Sequence, residues 1–304
     1  MRKLALVLVL ASTTAYADSK AWTAAKSLIP SGMEMVGGVN ASNLRSSKLY
    51  ETMLPLAMMN ASEAKDQLDQ IKKQCGIDVL TSIDSVAFGI DANQKGVVVV
   101  ALKGTNRKDL ETCAQKRAKA ENKTITVATD GKLTKYSGFA DKDIYLDWIG
   151  SDVVAMTTAP DDKDGSAKLL AGGIAKDQGL KRALGAVNTS AAVWGVYNKA
   201  QDIDKSDFNP DIHAKMLFGS ANIAKGNIDT NVHVVVSDAK AASDAAAGMT
   251  KQLDDMKKAG KVPAAIDSMI KGLAIKPSGS DVVVTDSFSQ DDVFGLLGMM
   301  MRGK

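Results

Sequence analysis

The sequence predicts an α+β protein built from two related units, each a mainly antiparallel sheet with helices packed on one face. Three observations lead there. Apolar runs of strand length follow one another across tight turns, which makes their pairing antiparallel. Helical patterns come in groups between these hairpins, not in regular alternation with single strands. Short motifs also recur in the same order in the two halves of the 304-residue chain.

At the start of the chain, Arg2 and Lys3 precede an unbroken apolar run from Leu4 to Ala11, and Ala15-Tyr16-Ala17 follows as a small-x-small cleavage site. This is the pattern of a secretory signal peptide over residues 1–17. The run is too short to cross a bilayer, which takes about 20 apolar residues. Asp18 rather than Cys follows the expected cut, so no lipid anchor is expected there. The signal looks bacterial, and the expected location is periplasmic or secreted. No later apolar run has the length of an integral membrane span.

The first unit is expected over residues 18–175. Trp22, Ala25 and Leu28 are spaced for a short helix packing back on the domain, and Ala64, Leu68, Ile71 and Cys75 for one face of a longer one. Val86 to Asp91 reads as a strand, Ala92 to Gly96 as a turn and Val97 to Lys103 as the returning strand. A helix begins near Asn106, with Leu110, Cys113, Ala114 and Arg117 on one face. An added hairpin at about 124–136 follows, Thr124 to Val127 and Leu133 to Tyr136, around the Asp130-Gly131 turn signal. A short helix over Leu180 to Leu184 falls in the boundary region.

The second unit is expected over residues 190–304. Lys215 to Ile223 is a strand, Lys225-Gly226-Asn227 a turn, and Val232 to Ser237 part of the returning strand. A helix from about Ala239 carries Ala242, Ala246, Met249, Leu253 and Met256 on one face. Two echoes tie the units together. Met35-Val36-Gly37-Gly38-Val39-Asn40 resembles Val193-Trp194-Gly195-Val196-Tyr197-Asn198, and Gly150-Ser151-Asp152-Val153-Val154 recurs letter for letter as Gly279-Ser280-Asp281-Val282-Val283. After each copy of the pentapeptide, acidic residues open a helix (Asp161, Asp162 and Asp164, then Asp291 and Asp292), where they suit the helix dipole.

Removing Arg2 and Lys3 from the 38 basic residues leaves 36 against 35 acidic ones. A nearly neutral mature chain has no long-range field to gather nucleic acid, and no nucleic-acid partner is expected. Cys75 and Cys113 are the two cysteines, and each falls on the inner face of an expected helix. In an oxidising compartment they are expected to pair. The bridge would close a loop of about 38 residues and contribute roughly 4 kcal/mol on the chain-entropy model.

Motifs of catalysis and cofactor binding are missing. There is no Gly-x-Ser-x-Gly elbow and no phosphate-cradling glycine loop. His213 and His233 lack a third metal ligand at short spacing. By strand alternation His233 shares a face with Val235, opposite Val232, Val234 and Val236, and is expected to meet solvent. Asp202-Ile203-Asp204-Lys205-Ser206-Asp207 alternates oxygen donors but lacks the glycine and the closing glutamate of a calcium loop. Trp148 and Trp194 fall in strands and are expected to fill the core. Two Met-rich segments, Met53, Met58 and Met59 in the first half and Met299, Met300 and Met301 at the end, are the candidate apolar-ligand surface, because thioether side chains adapt to irregular apolar partners.

The series Met35-Val36-Gly37-Gly38-Val39-Asn40, Ser46-Ser47-Lys48-Leu49-Tyr50, Cys75-Gly76-Ile77-Asp78 and Ser82-Ile83-Asp84 resembles uncharacterised exported bacterial proteins with two related αβ halves. The resemblance implies a periplasmic or secreted protein without assigned catalysis, and transfers no functional residues. The expected function is that of a non-enzymatic binding or structural protein of the cell envelope, with no cofactor and with an envelope protein or apolar ligand as partner. A carrier for a lipid or other apolar ligand is the first alternative, and a hydrolase with unrecognised residues the second. A carrier requires a continuous apolar cavity; a hydrolase requires titratable groups converging in a cleft.

Overall fold

The structure, a computed structural model, describes residues 18–138, 143–158, 163–199, 201–202, 212–224, 226–260, 262 and 264–302. The expected signal peptide, most of the acidic 202–207 loop, and Asp161 and Asp162 lie outside the described residues.

Local chemistry sets the element boundaries. Ser19 caps α1 (Lys20–Ala25) by accepting the Trp22 N–H. Then come β1 (Met35–Asn40), α2 (Ala41–Arg45), α3 (Lys48–Asn60), α4 (Ser62–Cys75) and α5 (Val79–Ser82). Gly76 ends α4 in the left-handed region, at φ +73°, which a glycine adopts without steric cost. The β2 (Ile83–Ile90) and β3 (Gly96–Leu102) hairpin leads to α6 (Arg107–Ala120). A reciprocal capping box between Asn106 and Asp109 starts α6. β4 (Thr126–Asp130), β5 (Leu133–Ser137), β6 (Ile144–Ile149) and β7 (Val153–Thr157) follow. The added hairpin therefore turns on Gly131 and Lys132, with Asp130 as the last residue of its strand opposite Leu133.

After α7 (Lys163–Leu169) and a 3₁₀ turn, α8 (Gln178–Ala186) is capped by Asp177. β8 (Val193–Tyr197), the short ribbon β9 (Gln201–Asp202) and β10 (His213–Ala214), β11 (Met216–Ala224) and β12 (Asn227–Val235) come next. The chain ends with α9 (Ala239–Lys258), α10 (Ala264–Met269), β13 (Ala274–Ser278), β14 (Asp281–Ser289) and α11 (Gln290–Arg302). Among the described residues no helix is long and apolar enough to cross a membrane.

The class is α+β, and the two halves share one antiparallel sheet of order β13-β14-β12-β11-β8-β1-β2-β3-β7-β6-β5-β4. Its centre is the β1–β8 pair, where Gly37 stands opposite Gly195. Outward from there the order runs β2, β3, β7, β6 on one side and β11, β12, β14, β13 on the other. Only the first side continues, into the β5–β4 hairpin.

Residues paired directly across strands share a face. One face carries Ala87, Val99, Ala155, Trp194 and Val196, and α1 and α8 cover it with Ala21, Trp22, Ala25, Leu180 and Ala183. Trp22 meets Trp194 edge to face, with ring centroids 4.7 Å apart. Gly38 makes room for the Trp194 indole: a Cβ there would come within 2.5 Å of its nitrogen. The opposite face carries α6 with α4 on the first wing and α9 on the second.

The repeated pentapeptide does not occupy equivalent positions. In the first copy Ile149 pairs with Val153, so Gly150, Ser151 and Asp152 form a three-residue turn. In the second, Ser278 pairs with Asp281, and the turn is Gly279 and Ser280 alone. A one-residue slip exchanges the two faces of a strand. Val153 accordingly joins the core under α1, while Val282 joins the cluster under α9.

His233 keeps the face that alternation assigns it, with Val235 and opposite Val234 and Val236, but that face is covered and not open to solvent. It lies on the α1–α8 face, stacked on Phe218 with centroids 4.4 Å apart, and is largely shielded from solvent. His213 sits in the separate β9–β10 ribbon, paired with Asp202. Ala64, expected on the inner face of its helix, is exposed.

Candidate functional site: an apolar cavity under α6

The inner face of α6 is the one its spacing predicts: Leu110, Cys113, Ala114 and Arg117 all face the first wing of the sheet. They do not pack down onto it. A cavity of about 600 Å³ separates them from the strands, within the ~300–1,000 Å³ span of small-molecule sites. Its floor consists of three cross-strand pairs, Tyr136 with Ile144, Leu146 with Met156, and Trp148 with Val154. Trp148 is thus a half-buried cavity wall rather than core filling. Ile71 and Gln67 of α4 form one side, and Ile125 and Gly138 contribute where the added hairpin begins and ends.

Cys75 and Cys113 form a disulfide that ties α4 to α6 along the cavity wall, with a Cα–Cα distance of 5.3 Å. Lys116 adds a hydrogen bond from its ammonium to the Gln74 carbonyl. α4 needs such ties, because most of its residues are exposed and few apolar side chains hold it down.

A polar cluster stands on the wall near the start of α6. The Tyr136 hydroxyl donates to Glu111 Oε1 at 2.8 Å, and Arg107 Nε donates to the same oxygen at 2.7 Å. The Arg107 guanidinium lies 5.8 Å from the centre of the Trp148 ring. Burial, with the bond to Glu111, pushes the Tyr136 phenol up to about 12. The carboxylate bond raises Arg107 further above its already high value. Arg107 and Tyr136 therefore both keep their protons at neutral pH and both donate to Glu111.

The second wing shows what the same arrangement looks like when closed. The inner face of α9 is alanine: Ala242, Ala245 and Ala246 are almost completely buried against Val234 and Val282. Small side chains bring the helix axis close to the sheet and fill the gap. A depression of about 580 Å³ beside α9 is instead rimmed by Lys251, Asp254, Asp255 and Lys258.

A second polar constellation lies on the opposite face. Asp281, 4% exposed, accepts from Arg182 at 2.5 Å and lies 3.1 Å from His233 Nδ1. Arg182 also donates to the Ser280 hydroxyl at 3.0 Å. These three side chains join α8 to β12 and β14. Among the described residues no serine or cysteine is bonded to the imidazole, and no group of three metal-ligating side chains is present.

The Met-rich segments lie elsewhere. Met53 and Met58 are half-buried on α3, and Met59 is 76% exposed. None of the three lines the cavity, whose methionine is Met156. Met299, Met300 and Met301 fall on α11, with side chains outside the described residues. α3 and α11 are joined by Lys48 to Asp291 at 2.6 Å and by the Leu49 N–H to Gln290 Oε1 at 2.8 Å. Sequence reasoning found the α6 face and the cysteine pair. It missed Glu111, Tyr136 and Trp148 as members of one site. The available signal was the added hairpin, which brings Tyr136 beneath a helix whose counterpart in the second half has no such cover.

Neither a protein-family model nor a curated protein matches the chain. Among solved structures it is similar to three crystal forms of TP0453. Form I matches with a TM-score of 0.51 at 8% identity, and form III with 0.53 at 8%, each over 90% of this chain and 96% of the other. Form IV matches with 0.50 at 10%, over 92% and 99%. Likeness at this identity shows a shared fold.

Proposed function

We propose that the chain is an exported, non-enzymatic binding protein of the cell envelope that receives an apolar ligand, such as a lipid acyl chain, between α6 and the first wing of the sheet. The observation that carries this reading is the cavity of about 600 Å³ floored by Leu146, Trp148, Val154 and Met156, at a place where the other wing is packed shut. An unfilled apolar space forfeits dispersion contacts and is destabilising in an empty protein. A ligand restores those contacts. Export is supported by the signal-like segment 1–17 and by the Cys75–Cys113 bridge, which persists in an oxidising compartment.

Tryptophan quenching by 11-bromoundecan-1-ol tests the reading. Trp148 lines the cavity, whereas Trp22 and Trp194 are buried on the other face. Saturable quenching is expected in the oxidised protein, lost in Trp148→Phe and in Ala114→Phe, whose added ring fills the space. Quenching that survives Trp148→Phe, or no quenching at all, would overturn the reading.

A further inference from the structure

The cavity lining carries two carboxylates, Glu111 and Glu121, and two cations, Arg117 and Lys123, and Arg107 just outside it makes the cations three to two. Glu111 is neutralised by Arg107 at 2.7 Å, and Glu121 by Lys123 at 2.9 Å. Arg117, partly buried on the inner face of α6, also lines the cavity; among the described residues it makes no ion pair, although Glu121, one turn on and paired with Lys123, also feels its charge. It stands two turns beyond the Arg107–Glu111–Tyr136 cluster, on the side where Lys123 follows the end of the helix. The site therefore has an apolar floor, a closed polar cluster at one end and a surplus guanidinium toward the other. A guanidinium presents a planar fork that matches a carboxylate or a phosphate, and a charge pair beside an apolar cavity is less screened than one in water.

We infer that the ligand is a single-chain amphiphile with an anionic head, its carboxylate or phosphate oxygens received by Arg117 and its alkyl chain lying along Leu146, Trp148 and Met156. This rests on the apolar-cavity reading above and adds the sign and position of the head. Arg117 selects by charge; the floor binds chains of any head group.

Calorimetric titration of the oxidised protein with dodecanoate, dodecyl phosphate and dodecan-1-ol, all below their aggregation concentrations, tests it. At least one anion is expected to bind about tenfold or more tightly than the alcohol, the strength of a charge-assisted hydrogen-bonded pair. The ratio should fall to near one in Arg117→Gln and be largely retained in Arg117→Lys. The tighter anion tells a carboxylate head from a phosphate one. If anions and alcohol bind alike, or if Arg117→Gln keeps the preference, the inference is wrong and the apolar-cavity reading stands. If none of the three binds, both fail. Circular dichroism of each variant confirms that a lost preference is not lost folding.

Discussion

The Trp148 indole N–H donates to the Tyr136 hydroxyl at 2.9 Å, and that hydroxyl passes its own proton toward Glu111. The two aromatic rings thus stand on neighbouring strands of the cavity wall with their polar atoms joined. Tyr136→Phe removes the junction and leaves an indole N–H without its acceptor. A loss of about 1–3 kcal/mol is expected in urea unfolding at pH 7.

The same tyrosine makes a pH prediction. Its phenol is raised to about 12 in the folded protein, against 10.0 for an unperturbed group. A raised acid favours folding fully below the unfolded value and loses that contribution as pH climbs through the folded one. Between about pH 10 and 12 the wild type should lose stability more steeply than Tyr136→Phe. Parallel slopes in denaturant titrations of the two proteins would contradict this.

Replacing Cys75 and Cys113 by alanine removes a tie between two helices of which one, α4, is mostly exposed. The expected cost is about 4 kcal/mol from loop closure. Hydrogen exchange should quicken first in α4, and the affinity for 11-bromoundecan-1-ol should fall, because Ile71 and Gln67 form a side of the cavity.

Asp281→Ala strands Arg182 and removes the oxygen facing His233. Arg182 is about half exposed and can turn to water, so a loss of about 1–3 kcal/mol is expected rather than that of a fully buried pair. Thermal unfolding measures it, and quenching of Trp148 by the bromo-alcohol should be unchanged.

Gly38→Ala places a methyl group against the Trp194 indole, 2.5 Å from its nitrogen before relaxation. Overpacking of this kind costs about 1–3 kcal/mol. The Trp194 emission should shift as the ring moves, which a control substitution at the open Gly185 should not reproduce.

Much of the fold was legible because it follows local rules. The β2–β3 hairpin, the start of α6 near Asn106, the start of α9 near Ala239 and the α1 packing of Trp22 all follow from local pattern. The cysteine pair was legible because both residues sat on predicted inner faces. The pentapeptide was misleading in detail: identical letters around Asp152 and Asp281 end in turns of different length, and turn length is decided by what the flanking strands pack against. The cavity was not legible. Whether Leu110 and Ala114 touch the sheet or stand off from it depends on the distance between elements far apart in sequence, and no residue spacing encodes that. The face of His233 was legible but its shielding was not, since its stacking on Phe218 and the carboxylate beside it come from a neighbouring strand and a distant turn.

The central ladder in which Gly37 faces Gly195 has a consequence for how the molecule comes apart. Along this ladder the halves are joined by main-chain bonds, so a fragment ending near residue 190 would bare the whole rim of β1 to other chains. Separate expression of either half should give self-associating material. The intact protein should melt in a single cooperative step instead of shedding one lobe at a time.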